Sequence, residues 1–192
     1  MAQKYHVVIT NPPYLGMARF SVKLDRYVKD IYADVKNDLS MIMYKHAVKD
    51  IVEPLGYVAF ITTSSWMFLA SFEKLRRFQQ SNTVFTSLVD FGTELFEGKV
   101  GHNPIVAWVS CKARMKYTMT AVRLVEYCYS RRNEKEPEYF NFPNRFYPEQ
   151  SKFAQIPGSP IAYWVSTQLS MRFLLNCMGW QMNWMHQFWI KM

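Results

Sequence analysis

An α/β fold built on a largely parallel sheet is predicted by three features of this sequence. The run "YHVVIT", Tyr5 to Thr10, is continuously apolar after His6 and is closed by Pro12 and Pro13, the pattern of a strand buried on both faces. A second apolar run, "GYVAFITT", follows a stretch whose apolar residues recur at three- and four-residue intervals. Two further runs, "VFTSLVDFG" and "NPIVAWVSC", come after a short polar segment of helical character. Strands alternating with helices in this way give helices on both faces of the sheet.

Each element has a local reason. Pro12 and Pro13 lack the backbone donors that a continuing strand needs. From Leu24 to Val52, the spacing of Leu39, Ile42, Met43, Ala47, Val48 and Ile51 predicts a helix, which Pro54 and Gly56 then stop. "SFEKLRRFQQSN" predicts a short helix with Ser71 as its N-cap. The stretch "TELFEGKVGH" is a turn-rich connection, and residues 118–129 alternate like a half-exposed strand. Residues 131–160, rich in charge, proline and aromatics, read as a long irregular connection, and "PIAYWVSTQLSMRFLLN" returns to a helix in its later part. The last sixteen residues hold three of the six tryptophans and four of the twelve methionines. They read either as a packed core helix or, lacking caps, charge pairs and a clean period, as an atypical tail. The chain thus divides into 1–116, 117–176 and 177–192.

Composition excludes several classes. With 49% hydrophobic and 17% aromatic residues the chain has material for a core and is not intrinsically disordered. No apolar stretch is long enough to span a membrane and no secretory leader pattern opens the sequence, which predicts a cytoplasmic protein. Cys111, Cys128 and Cys177 are odd in number and far apart, so they read as reduced, buried small residues rather than disulfides or zinc ligands. His6, His46, His102 and His186 have no ligand spacing either, and no metal is expected. A formal charge of +8 implies attraction to polyanions, nucleic acid before an anionic membrane, or simply a basic surface.

The segment "NPPY", Asn11 to Tyr14, sits where an open parallel sheet gathers ligands, outside the carboxyl end of a strand. An exocyclic amine conjugated to a purine is a poor nucleophile because its lone pair is delocalised. Two acceptors aimed at its hydrogens draw that lone pair out of conjugation. The Asn11 side-chain oxygen and the Pro12 carbonyl fit that task, Pro13 fixes the geometry, and Tyr14 offers a face for an extruded base to stack on. The plainer reading is an Asn-Pro turn after a strand.

With these residues in place, the sequence resembles the S-adenosylmethionine-dependent amino methyltransferases, in which "NPPY" is the substrate-amine motif. "KYHVVITNPPYLG", "DLSMIMYKHAV", "GYVAFITTSSWMFLASFEKLR", "VDFGTELFEGKVGHNPIVAWV" and "IPGSPIAYWVS" together resemble the large adenine-specific DNA methyltransferases of BREX phage-defence systems, over Lys4 to Ser166. The resemblance implies a partial Rossmann-like methyltransferase sheet, its second half in residues 1–116, followed by a connection and the start of a target-recognition region. It also implies methylation of adenine N6 in double-stranded DNA, with Asn11 and Pro12 binding the amine, Pro13 shaping the turn and Tyr14 stacking on the base. His6 stands where the family has an acidic residue, and "YADVKNDL" departs from its proline-bearing version.

The family's glycine-rich FxGxG loop for the cofactor has no counterpart among the seven glycines here; "GKVG" at 98–101 is a surface or hairpin loop. No residue is therefore assigned to S-adenosylmethionine, and the chain reads as an enzyme fragment inactive alone. Its first strand, interior in the whole family fold, then becomes an exposed edge. The isolated chain is expected to self-associate or to need a complementary polypeptide.

Other residues stay open. Lys74, Arg76, Arg77, Arg123, Arg131, Arg132 and Arg145, interleaved with Tyr127, Tyr129, Phe140 and Phe142, read either as phosphate contacts or as a solvated charged face over buried rings. Asp38 and Asp90 read as capping or solvated residues, Ser64 and Ser65 as a strand-exit loop near the pocket. Rival functions are an NPPY methyltransferase acting on protein glutamine or RNA, and a non-catalytic nucleic-acid-binding or interaction remnant.

Overall fold

The computed structural model describes residues 3–96 and 102–165. Among them six strands form one mixed sheet: β1 Tyr5–Thr10, β2 Val52–Thr63, β3 Val84–Gly92, β4 Ile105–Cys111, β5 Thr120–Arg123 and β6 Arg145–Phe146. Their spatial order is β1-β2-β4-β3-β5-β6. β1 runs parallel to β2, and β3 to β5, but β4 lies antiparallel between β2 and β3. The sheet is therefore less parallel than expected. The connection read as turn-rich closes a hairpin from β3 to β4, and a hairpin leaves its strands antiparallel.

The helices are α1 Val22–Ile31, α2 Leu39–His46, α3 Glu73–Asn82 and the short α4 Lys135–Tyr139. The single helix expected from Leu24 to Val52 is in fact α1 and α2, with a π turn at Ala47–Ile51. The break has a cause in Asp38, whose carboxylate accepts from the Ser40 amide at 2.8 Å and so caps α2. Two backbone bonds, Leu39 to Leu15 and Met17 to Asn37, tie the break to the loop after "NPPY".

The helical run ends at Ile51, ahead of Pro54 and Gly56, which shape an irregular start to β2. Leu55 takes φ 63°, and the pairing with β1 jumps from Tyr5↔Val52 to Val7↔Tyr57. A Cβ on Gly56 would lie 2.6 Å from Val52 Cγ2 and 2.7 Å from the His6 carbonyl, so this close approach needs glycine. Ser71 is not the cap of α3. Phe72 holds that position without a side-chain bond, and the Ser71 carbonyl accepts from Asn37 Nδ2 at 2.7 Å. Residues 118–129 supply only the four-residue β5, and the connection read as irregular contains α4 and β6. The helix expected after "PIAYW" and the tail 177–192 fall outside the described residues, as does "GKVG".

Most of the core gathers on one side of the sheet. Phe60 of β2, Trp108 of β4 and Phe85 and Leu88 of β3 are buried in one cluster with Met41, Tyr44 and Val48 of α2 and its turn and Leu75 of α3. Ring centroids lie 4.6 Å apart for Trp66 and Trp108, and Tyr44 meets Phe60 edge-on at 5.5 Å. Each such side chain contributes about 1.5–3 kcal/mol on full burial. β1 is different. Although its composition reads as doubly buried, it is the edge strand, with Tyr5, Val7 and Ile9 exposed at 48%, 52% and 76%.

Candidate active site

β1 ends beside the middle of β2, where Thr10 pairs with Phe60. Asn11 is exposed, Pro12 buried, Pro13 exposed and Tyr14 half-buried. The Tyr14 hydroxyl donates to Asn11 Oδ1 at 2.8 Å and also lies 3.4 Å from the Ile61 carbonyl. One phenolic proton cannot serve both acceptors at full strength, and the shorter contact takes it. Asn11 and Tyr14, proposed to act together, are thus joined by a hydrogen bond. Burial raises the Tyr14 phenol above its ordinary value, which keeps it a neutral donor. Oδ1 retains a second lone pair for another donor.

The neighbouring strand ends complete this edge. Thr63 pairs with Ile105, which pairs with Gly92, and Asp90 pairs with Arg123, so β1, β2, β3 and β5 all finish on the same side of the sheet. Ser64 and Ser65 lie in the 3₁₀ turn Ser64–Met67 that leaves β2, as expected of a strand-exit loop. Asp38 is a cap, as read from the sequence, though burial raises its carboxyl against the lowering by Ser40.

Asp90 is a correction. It is neither a cap nor solvated. At 5% exposure it accepts from the Tyr163 hydroxyl at 2.8 Å and from the Gly92 amide at 3.2 Å. Burial raises its carboxyl, while those bonds and the charges of Arg123 and Lys135 lower it in part. Burial, and after it the same carboxylate, pushes the Tyr163 phenol far up.

Arg76 is a second correction. It is no phosphate contact, being 1% exposed. Its guanidinium donates to the carbonyls of Trp66, Leu69, Gly158 and Ser159 at 2.7–3.1 Å. Burial lowers it to about 10, still charged at neutral pH. The Ile161 amide adds a bond to the Met67 carbonyl at 2.9 Å. Arg76 thus fastens "IPGSPIAYW" against the turn that follows β2, and Asp90 fastens it against the end of β3. Lys135, also missed, is buried and donates to the Phe91 carbonyl at 2.6 Å.

The remaining basic candidates are dispersed. Arg77 pairs with Glu73, Arg123 with Glu126 and Arg131 with Glu134. Tyr129, Phe140 and Phe142 are not buried rings but exposed at 73%, 72% and 73%. Cys111 and Cys128 are free thiols and only half-buried. Among the described residues no group of three His, Cys, Asp or Glu side chains is placed to hold a metal, and no helix is long and apolar enough to cross a membrane.

Residues 1–96 match the family of Eco57I restriction-modification methylases. The chain belongs to that family. It is 32% identical over 178 residues to the adenine-specific methyltransferase BrxX of Escherichia coli O9:H4 strain HS, covering 91% of this chain and 14% of that protein. It is 31% identical over 175 residues to the adenine-specific methyltransferase PglX of Lacticaseibacillus casei strain Zhang, covering 86% of this chain and 14% of the relative. The chain therefore spans about a seventh of the curated homologues it matches. In fold it is similar to the type I restriction-modification methyltransferase subunit from Streptococcus thermophilus, with TM-score 0.55 at 9% identity over 82% of this chain and 37% of that one. The mixed six-stranded sheet with helices is similar in fold to a putative class I S-adenosylmethionine-dependent methyltransferase from Listeria monocytogenes, with TM-score 0.51 at 14% identity over 73% of this chain and 43% of that one.

The methyl donor of this class is S-adenosylmethionine. The glycine-rich loop expected to hold it is absent from these 192 residues, so no residue here is assigned to it and the chemistry below concerns the amine alone.

Proposed function

We propose that this chain carries the target-amine part of a site-specific DNA N6-adenine methyltransferase of restriction-modification or phage-defence type, which turns over only together with a cofactor-binding part on the same or another polypeptide. The observation that carries the reading is "NPPY" at the open carboxyl end of β1, with Asn11 exposed and bonded to Tyr14. An adenine extruded from duplex DNA enters this edge. Asn11 Oδ1 and the Pro12 carbonyl accept the two N6 hydrogens, and the Tyr14 ring supports the base. Holding both hydrogens turns the nitrogen lone pair outward, and the proton leaves to water after the methyl group has bonded, so no general base is required. Membership of a family whose homologues are adenine-specific supports adenine over glutamine or RNA amines.

The test uses duplex DNA carrying 2-aminopurine at a mismatched position, whose fluorescence rises when the base leaves the stack. The full chain raises the signal, and Tyr14→Ala, with far-UV dichroism unchanged, abolishes the rise. An equal rise from Tyr14→Ala would refute the pocket and leave non-catalytic DNA binding as the better account.

A further inference from the structure

A second concave site lies at the other end of the sheet. A cleft of about 400 Å³ opens between the turn after α2, the end of α3 and the segment following β4, with Lys49, Phe78, Asn82, Lys112 and Arg114 on its walls. This volume is within the range of about 300–1,000 Å³ usual for small-molecule sites. β2 separates it from Tyr14 by about 20 Å, at ~3.3 Å per residue from Leu55 to Ile61.

Three cations line this cleft with little to balance them. Among the described residues Lys49 and Arg114 form no ion pair, and Lys112 Nζ donates only to the Val52 carbonyl at 3.0 Å. Asp50 is the carboxylate that acts on Lys112, and its Oδ2 lies 2.9 Å from His46 Nδ1. Burial, and then repulsion from Lys4, lower the Lys112 ammonium; an anion in the cleft would relieve both. The cleft also has a ring and an amide. Lys45 Nζ stands 5.2 Å from the Phe78 ring centroid. Asn82 uses its Nδ2 on the Phe78 carbonyl at 2.8 Å, which leaves Oδ1 as an acceptor.

We propose that this cleft binds a nucleoside monophosphate, with the phosphate on Lys49, Lys112 and Arg114, the base against Phe78, and Asn82 Oδ1 accepting from an amine or ribose hydroxyl. A phosphate group satisfies a cluster of donors that, among the described residues, forms no ion pair with a carboxylate. A flat ring suits the single aromatic wall. Neither Asn11 nor Tyr14 takes part, so the site stands apart from the methyl-transfer reading.

The test is calorimetric titration of the full chain with AMP, adenosine and inorganic phosphate. AMP gives saturable heat and binds more tightly than either adenosine or phosphate. The exposed double variant Lys49→Gln/Arg114→Gln, with unchanged dichroism, weakens AMP at least tenfold, as expected for the loss of two charged contacts. Phe78→Leu weakens AMP several-fold and leaves phosphate unchanged, whereas Tyr14→Ala leaves AMP unchanged. The proposal fails if AMP gives no saturable heat or if its binding ignores the double variant. It fails equally if Tyr14→Ala removes AMP binding, which would place the nucleotide in the "NPPY" edge, or if phosphate binds as tightly as AMP.

Discussion

Tyr14 is asked to do two things with one side chain, and they can be separated. Its hydroxyl orients Asn11 through the 2.8 Å bond, and its ring supports a base. Tyr14→Phe keeps the ring and frees the Asn11 amide. It should lower stability by about 1 kcal/mol, read as a urea midpoint, while retaining most of the 2-aminopurine signal. Tyr14→Ala should remove that signal, at about 1–3 kcal/mol for one lost stack. Asp90 makes a different test. Its folded carboxyl is raised, chiefly by burial, above the unfolded value of about 3.9. The folded state therefore holds that proton to higher pH than the unfolded state. Its stabilising contribution is complete below about pH 4 and is lost as pH rises through the folded value. Asp90→Asn stays neutral throughout, so the variant should lose less stability between pH 4 and pH 7 than the wild type. Urea midpoints at the two pH values check this; an equal drop in both proteins would mean that Asp90 titrates as it does in the unfolded chain.

Elements were legible in the sequence where a local pattern decided them, and misread where a long-range contact did. β1, β2 and the "NPPY" corner follow from apolar runs and prolines, and all are present. The break between α1 and α2 was invisible because helical spacing continues across it. What interrupts the helix is the bridge from Gly16 to Asp38, a contact with a loop that local period cannot report. Arg76 was misread for a related reason. An arginine beside Lys74 and Arg77 looks solvated until the carbonyls of Gly158 and Ser159, far along the chain, are seen to close over it. That clamp predicts a large effect. Arg76→Met removes the guanidinium from four carbonyls, of which Leu69 keeps the Phe72 amide and Ser159 keeps Gln80 Nε2, and should cost about 3 kcal/mol by urea denaturation. Arg76→Lys should recover little, since an ammonium cannot reproduce the planar fork. By contrast Arg77→Met, which removes an exposed pair with Glu73, should change stability by about 0.5 kcal/mol or less.

At the scale of the whole molecule, β1 is an unpaired edge of the sheet among the described residues. Val7 faces Tyr57 across the first strand pair, and with Tyr5 and Ile9 they make an apolar strip at the border of the sheet, where β1 has a strand partner on one side only among the described residues. Methyltransferase chemistry adds a second demand, since the amine-binding corner lies on this strand while the glycine-rich loop for the methyl donor is not in the sequence. A strand added along β1, from a further stretch of the same protein or from a partner, would answer both demands together. The full chain alone should therefore show concentration-dependent association by sedimentation velocity, bind an apolar dye, and give no saturable heat with S-adenosylmethionine. Ile9→Lys, at an already exposed position, should reduce association and dye binding without loss of helical dichroism. A monodisperse wild-type chain with little dye binding would show that the edge needs no partner. Saturable binding of S-adenosylmethionine that disappears in Ile9→Lys would instead mean that self-association itself rebuilds a cofactor site.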